Sequence, residues 1–253
     1  MRSYQINGEV KHTMKYSIVT SIALCAAVSV SAAEPIRVLI VTGGHDFERE
    51  AFFAMFDSMK DVTYREVVHP NASQMFQPDK RSSYDVLVLY DMNQDIPEED
   101  AEAGLEMLRE GKGLVALHHC IASYNDKPEY ERIIGGKYFL NETREGDKVI
   151  PQSTYDHDQT IDVHVCDPDH PVTKGMKDFT IHDETYKGFR VSDDVHPLLT
   201  TDHPKSGKTI AWCHKYWNSP VVYIQLGHDH QAYNNPNYRQ FVYQAIQWAA
   251  GRR

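Results

Sequence analysis

Four short apolar runs, spaced by helical patterns, constrain this chain more than anything else in it. Residues 36–41, 62–68, 84–90 and 114–117 have the length of strands and are rich in Val, Ile and Leu. Near-continuous apolar runs of this length mark strands buried on both faces of a parallel sheet. Between the first two runs, Phe52, Phe53, Met55, Phe56 and Met59 recur at helical spacing. Between the third and fourth, Pro97 opens a helix whose first turn carries Glu98, Glu99 and Asp100, where acids complement the helix dipole, and Gly111 ends it. Strands alternating with helices in this way predict an α/β fold, a doubly wound, mostly parallel sheet with helices on both faces.

Beyond Cys120 the pattern loosens. Residues 127–134 read as a short helix and the glycine-rich, charged stretch 135–158 as an excursion over the site. Residues 160–166 alternate as an exposed strand, Asp169-His170-Pro171-Val172 makes a turn, and 179–186 carries Asp183-Glu184-Thr185-Tyr186. Two more strands are expected over 209–214 and 220–226. A closing helix over 237–250 turns Phe241, Ala245, Ile246 and Trp248 inward. No repeat or low-complexity linker interrupts the chain, so residues 34–253 are expected to form a single α/β domain. Residues 1–33 read as a cleaved signal peptide: Lys11 and Lys15 precede an apolar run that ends in Val30-Ser31-Ala32-Ala33. The run is too short for a stable membrane anchor, and the expected location is periplasmic or extracellular. With 36 acidic against 26 basic residues the formal charge is −10, which argues against nucleic acid as a partner. After the leader three cysteines remain, Cys120, Cys166 and Cys213. That odd count permits one disulfide and leaves a thiol over, and spacing alone does not decide whether Cys166 pairs with Cys213.

Open parallel sheets bind ligands at the carboxyl ends of their strands. His45-Asp46 follows the first apolar run, His118-His119-Cys120 the fourth, and His228-Asp229-His230 the last strand. Their shared placement suits two chemistries. Neutral imidazoles with a carboxylate can hold zinc or a similar divalent ion with one position open; the expected ligands are His45, Glu184 and His228, with His119 as alternate. A histidine oriented by a neighbouring aspartate can instead act as a base near neutral pH. His228 with Asp229 is the first expectation for that role, and His119 the second. His118 belongs to the same catalytic set, but on an extended backbone it and His119 point to opposite sides, so both serve one centre only if a turn redirects one. Gly44, His45, Asp46, Glu184, Tyr186 and Tyr233 are the expected substrate contacts. His69, His157, His164, His170, His196, His203 and His214 read as surface or turn residues, and Cys120 as a packed thiol rather than a nucleophile.

The segments Gly43-Gly44-His45-Asp46-Phe47, Ala116-Leu117-His118-His119, His170-Pro171-Val172-Thr173-Lys174-Gly175, Asp183-Glu184-Thr185-Tyr186 and Leu226-Gly227-His228-Asp229 occur in this order. Together with the closing helix they resemble the ThuA-like (trehalose utilisation) family. The resemblance implies a flavodoxin-like fold related to class I glutamine amidotransferases, and a link to oxidised (keto) disaccharides and glycosides. Those amidotransferases carry a nucleophilic cysteine where this chain has His118, with Cys120 two residues late, so glutaminase activity is not expected. The expected function is an exported, carbohydrate-processing enzyme of lyase, hydrolase or isomerase type. It would act on a keto-sugar or glycoside by histidine-based, metal-assisted chemistry, with no nucleotide cofactor. The alternatives are a non-catalytic carbohydrate-binding module and an amidotransferase-like hydrolase. Small-molecule carbohydrate is the expected partner, and self-association is left open.

Overall fold

Strand β1 (Ile36–Gly43) lies one strand in from an edge of a nine-stranded sheet, in parallel register with the edge strand β2 (Val62–Val68) on one side and β3 (Val86–Asp91) on the other. β4 (Gly113–Leu117) adds to β3, also in parallel. The remaining members are β5 (Thr154–Val165), β6 (Phe179–Lys187), β7 (His196–Thr200), β8 (Thr209–Tyr216) and β9 (Ser219–Ile224). The spatial order is β2-β1-β3-β4-β9-β8-β7-β5-β6. β9 joins β4 in parallel, so the first five strands run one way; the pairings from β9 to β6 are all antiparallel. The computed structural model describes residues 34–252, together with Met1, Gln5 and Gly8. The expected signal peptide, apart from those three residues, and its expected processing site therefore lie outside the described residues. Among the described residues no helix is long and apolar enough to cross a membrane, and Glu34–Arg253 is one compact unit.

Two apolar layers cover the parallel half, and the pleat divides its residues between them. Ile36, Val38 and Ile40 of β1 face the layer built on α1 (Arg49–Asp57) and α5 (Pro236–Ala249). Leu39 and Val41 face the layer built on α2 (Glu98–Arg109) and α3 (Pro128–Ile134). The expected doubly wound α/β arrangement, with helices on both faces, is what forms.

The second half of the chain departs from expectation in an instructive way. β8 and β9 are joined by the two-residue turn Trp217-Asn218, with Trp217 at φ 49°. So tight a connection can only make an antiparallel hairpin. The stretch 135–158, expected as an excursion, is largely structured. Gly136–Lys137 pairs with Arg190–Val191, Thr143–Glu145 pairs with Lys148–Ile150, and β5 begins at Thr154. The first half of β5 is exposed on both faces and broken by a bulge between Asp156 and Gln159. No period-two pattern could announce it. β7 went unread for a similar reason: it is five residues long and carries a proline.

No disulfide forms among the described cysteines: Cys120, Cys166 and Cys213 are all free. Cys120 is buried in the apolar layer of α2 and α3, and burial pushes its thiol well above the ordinary range. Burial likewise pushes Cys213 up to about 12, while Cys166 is exposed. Alkylation of the native protein near pH 8 is therefore expected to label Cys166 first, with Cys120 and Cys213 reacting only on unfolding. Peptide mapping of iodoacetamide adducts checks this. Rapid labelling of Cys120 in the folded protein would contradict the packing described.

Candidate functional site

The site begins where β4 ends. Leu114, Val115, Ala116 and Leu117 are buried on both sides of the sheet, and the chain then breaks its strand geometry at His118, whose φ is 51°. A β-carbon in this left-handed region costs about 1 kcal/mol or more, so the surroundings must hold it there. They do so through two hydrogen bonds. Tyr223 Oη donates to the His118 carbonyl (2.9 Å), and His118 Nδ1 meets the Gln225 carbonyl at 2.6 Å. Because a carbonyl only accepts, Nδ1 carries the hydrogen and Nε2 is left to face the site.

Around that Nε2 three groups converge: Glu184 Oε2 at 3.0 Å, Tyr186 Oη at 3.0 Å and His228 Nδ1 at 3.2 Å. His228 Nδ1 is in turn 3.5 Å from Glu184 Oε2. Glu184 and Tyr186 come from β6. His228 follows β9 at a turn that Gly227 makes possible: its φ is 113°, and an added Cβ would lie 2.1 Å from Tyr238 Oη. The turn is held from beneath by Asp183, a fully buried carboxylate. It accepts from the backbone N–H groups of Gly227 (2.7 Å), His228 (3.0 Å) and Glu184 (2.8 Å). Tyr90 and Tyr233 donate to the carbonyls of Gly227 and His228, each at 2.8 Å. His157, displaced over the site by the bulge in β5, brings Nδ1 to 3.1 Å from the second oxygen of Glu184.

The electrostatics separate the members of the cluster. Burial works against a charged His118, but the hydrogen bond and negative charge of Glu184 outweigh it and raise the imidazole above its ordinary value. Burial likewise opposes ionisation of Glu184, and His118 overcomes it to hold the carboxyl below the usual range. Burial lowers His228, with His118 adding to the effect. It drives His119 well below its ordinary value, and it pushes Asp183 up to about 6. In a metal-free site His118 and Glu184 form an ion pair, and His228 beside them stays neutral at neutral pH.

The residues expected from sequence divide in two. His118, Glu184, Tyr186 and His228 come together; His45 does not join them. Its place in the three-residue group is taken by His118, because the left-handed turn swings the His118 ring into the site and His119 away from it. The two rings lie 5.4 Å apart at 79°. His119 instead stacks on His45 (4.5 Å) and packs on Tyr90 (4.4 Å). Neither His119 ring nitrogen has a hydrogen-bond partner, although the residue is only 4 % exposed. His45 donates from Nδ1 to the Asp46 carbonyl, leaving Nε2 as an acceptor. It lines a cleft of about 490 Å³ with Gly44, Asp46, Arg49 and His69. Gly44 itself is required there, since at φ 78° an added Cβ would meet the Met92 carbonyl oxygen at 2.5 Å. Asp229 does not orient the His228 ring; its carboxylate caps the short helix α4 (His230–Asn234) by accepting from Gln231 N. Tyr233 lies buried under the His228 backbone rather than at a surface.

Sequence reasoning missed Asp183, Gln225 and His157. Asp183 had a signal in its place beside Glu184 in a buried strand. Gln225 acts through its carbonyl, which no sequence displays, and His157 depends on a bulge.

A family profile for ThuA, described as trehalose utilisation, matches residues 37–249. Among solved structures the chain is similar to a protein described as ThuA-like from Parabacteroides merdae, at 19 % identity and TM-score 0.71, covering 86 % of this chain and 90 % of that one. A second ThuA-like protein, from Bacteroides uniformis, aligns at 20 % identity and TM-score 0.62, over 88 % and 95 % of the two chains. A protein titled cytoplasmic protein STM3548, from Salmonella typhimurium, aligns at 14 % identity and TM-score 0.59, over 85 % and 99 %. No curated protein matches the sequence. The profile spans the sheet from β1 to the end of α5, including every side chain of the cluster, and the chain belongs to the ThuA (trehalose utilisation) family.

Proposed function

We propose that this protein processes a small carbohydrate bearing a ketone, a keto-sugar or keto-glycoside, at the carboxyl edge of its parallel strands. The family's carbohydrate connection supports the substrate class. The observation that carries the reading is the convergence of His118, Glu184 and His228 on one point, with His228 the member that reaches solvent. Its side chain is 26 % exposed, against 1 % for His118 and 5 % for Glu184. His228 is the catalytic residue in this scheme. A ketone acidifies the adjacent C–H, and a neutral imidazole held against an ion pair can take that proton; the enolate left behind either expels a leaving group from the next carbon (elimination) or is reprotonated elsewhere (isomerisation). Glu184 and His118 touch each other and His228 rather than the crevice, so they are positioning residues.

The setting we propose is an exported one, on the strength of the signal peptide expected over residues 1–33. Turnover of keto-glycosides by the purified protein tests the function, with His228→Ala as the control. The expected result is saturable turnover that falls about 10²- to 10⁴-fold in the variant. Saturable sugar binding with no turnover of any keto-glycoside would turn the reading into that of a binding module. Unchanged turnover in His228→Ala would remove the base.

A further inference from the structure

We infer that His118 Nε2, Glu184 Oε2 and His228 Nδ1 form a binding site for one divalent cation of zinc's type. Three observations lead there, and the first is spacing. The three atoms form a triangle with edges of 3.0, 3.2 and 3.5 Å. Ligand bonds of about 2.0–2.1 Å at tetrahedral angles place nitrogen and oxygen donors about 3.3 Å apart. The triangle has the dimensions of one face of such a tetrahedron. Among the described residues it is the one group of three or more histidine, cysteine or acidic side chains that brings its donor atoms within 4.8 Å of one another.

The second observation concerns tautomers. Metal-binding histidines characteristically donate their other ring N–H to a carbonyl or carboxylate, which fixes the ligating nitrogen and its direction. His118 does this through Nδ1 to the Gln225 carbonyl at 2.6 Å, a contact buried on all sides. Glu184 is prepared in the same way. His157 Nδ1 lies 3.1 Å from its other oxygen, Oε1, leaving Oε2 to face the histidines.

The third is the count of protons. His118 Nε2 faces a carboxylate oxygen, an imidazole nitrogen and a phenol oxygen at once. One N–H can serve only one of them well, whereas a cation capping the triangle would satisfy Nε2, Oε2 and Nδ1 together. Two imidazoles and one carboxylate are the donor set of a known class of catalytic zinc site, in which the fourth position takes water or substrate.

This inference deepens the proposed function: a sugar carbonyl or hydroxyl would take the open position. With the cation bound, His228 would be a ligand rather than the base, and the cation would polarise a sugar oxygen at the open position. The two readings separate experimentally, because metal binding is measured without sugar and sugar turnover can be measured on metal-free protein.

The test uses full-length, tag-free protein, stripped with a chelator and titrated with Zn²⁺ and with Co²⁺. Calorimetry and the visible cobalt spectrum are the readouts. We expect saturation at one ion per chain, with cobalt bands of a four- or five-coordinate centre. Glu184→Gln and His228→Ala are each expected to weaken binding about 100-fold or more, while His164→Ala, at an exposed histidine paired with Asp178, leaves it unchanged. Circular dichroism and thermal melting confirm that each variant is folded. Glu184→Gln is isosteric and His228 is partly exposed, so these two decide the matter even if His118→Ala fails to fold. Absence of saturable binding, or binding that survives both substitutions, means an adventitious ion only and overturns the site.

Discussion

Asp183→Ala is expected to lower the stability of the fold by roughly 3–6 kcal/mol. The carboxylate is buried to 2 % exposure and accepts from three backbone N–H groups, those of Glu184, Gly227 and His228. Alanine removes both acceptor oxygens and leaves the three donors inside the protein, where each unsatisfied group costs about 1–3 kcal/mol. A domain of this kind is stable by about 5–15 kcal/mol, so the loss is a large share of the whole. Asp183→Asn, which keeps one acceptor oxygen, is expected to lose less. Urea denaturation of the three proteins checks the order. An alanine variant within 1 kcal/mol of the parent would show that water or a rearranged turn can replace the carboxylate.

An effect on turnover as large as that of losing the base is expected at Glu184. Glu184→Gln preserves shape but removes the charge that holds His118 protonated beside His228 in the metal-free site. The expected loss is about 10²- to 10⁴-fold in kcat, with KM little changed, because the group orients the base rather than contacting the sugar. Glu184→Asp keeps the charge but withdraws it by one methylene, and it should fall between. A merely structural glutamate would change stability and leave kcat in the folded fraction intact. Retention of more than about a tenth of the turnover in Glu184→Gln would assign it that lesser role.

The parallel half of the fold was legible because its physics is local. Strands covered on both faces must be apolar throughout, and the helices between them must show one apolar stripe. The antiparallel half was harder to read. β7 is five residues long with a proline at its second position, and the beginning of β5 is exposed on both faces. The strand-end histidines could be read from the sequence, but the trio that the structure gathers has His118 where His45 was expected. His45, His118 and His228 all stand at strand ends, but which ring turns inward is decided by the backbone angle of His118 and by the Gln225 carbonyl. Neither leaves a mark in the order of residues. The pairing of Asp229 with His228, suggested by adjacency, gave way to helix capping, since an aspartate before a short helix satisfies its first N–H groups more readily than a side chain one residue back.

β6 stands at the far edge of the sheet, four pairings from β9, yet its Asp183 and Glu184 touch the turn that follows β9. Neighbouring strands rotate by roughly 20–25° each, so four pairings turn the sheet through about 80–100°. That rotation carries the edge strand back over the carboxyl ends of the parallel ones. The distance between carboxylate and imidazoles is thus set by the accumulated twist of β8, β7 and β5, none of which supplies a side chain to the triangle. The antiparallel extension works as a curved arm, and its curvature is the dimension on which the geometry of the centre depends.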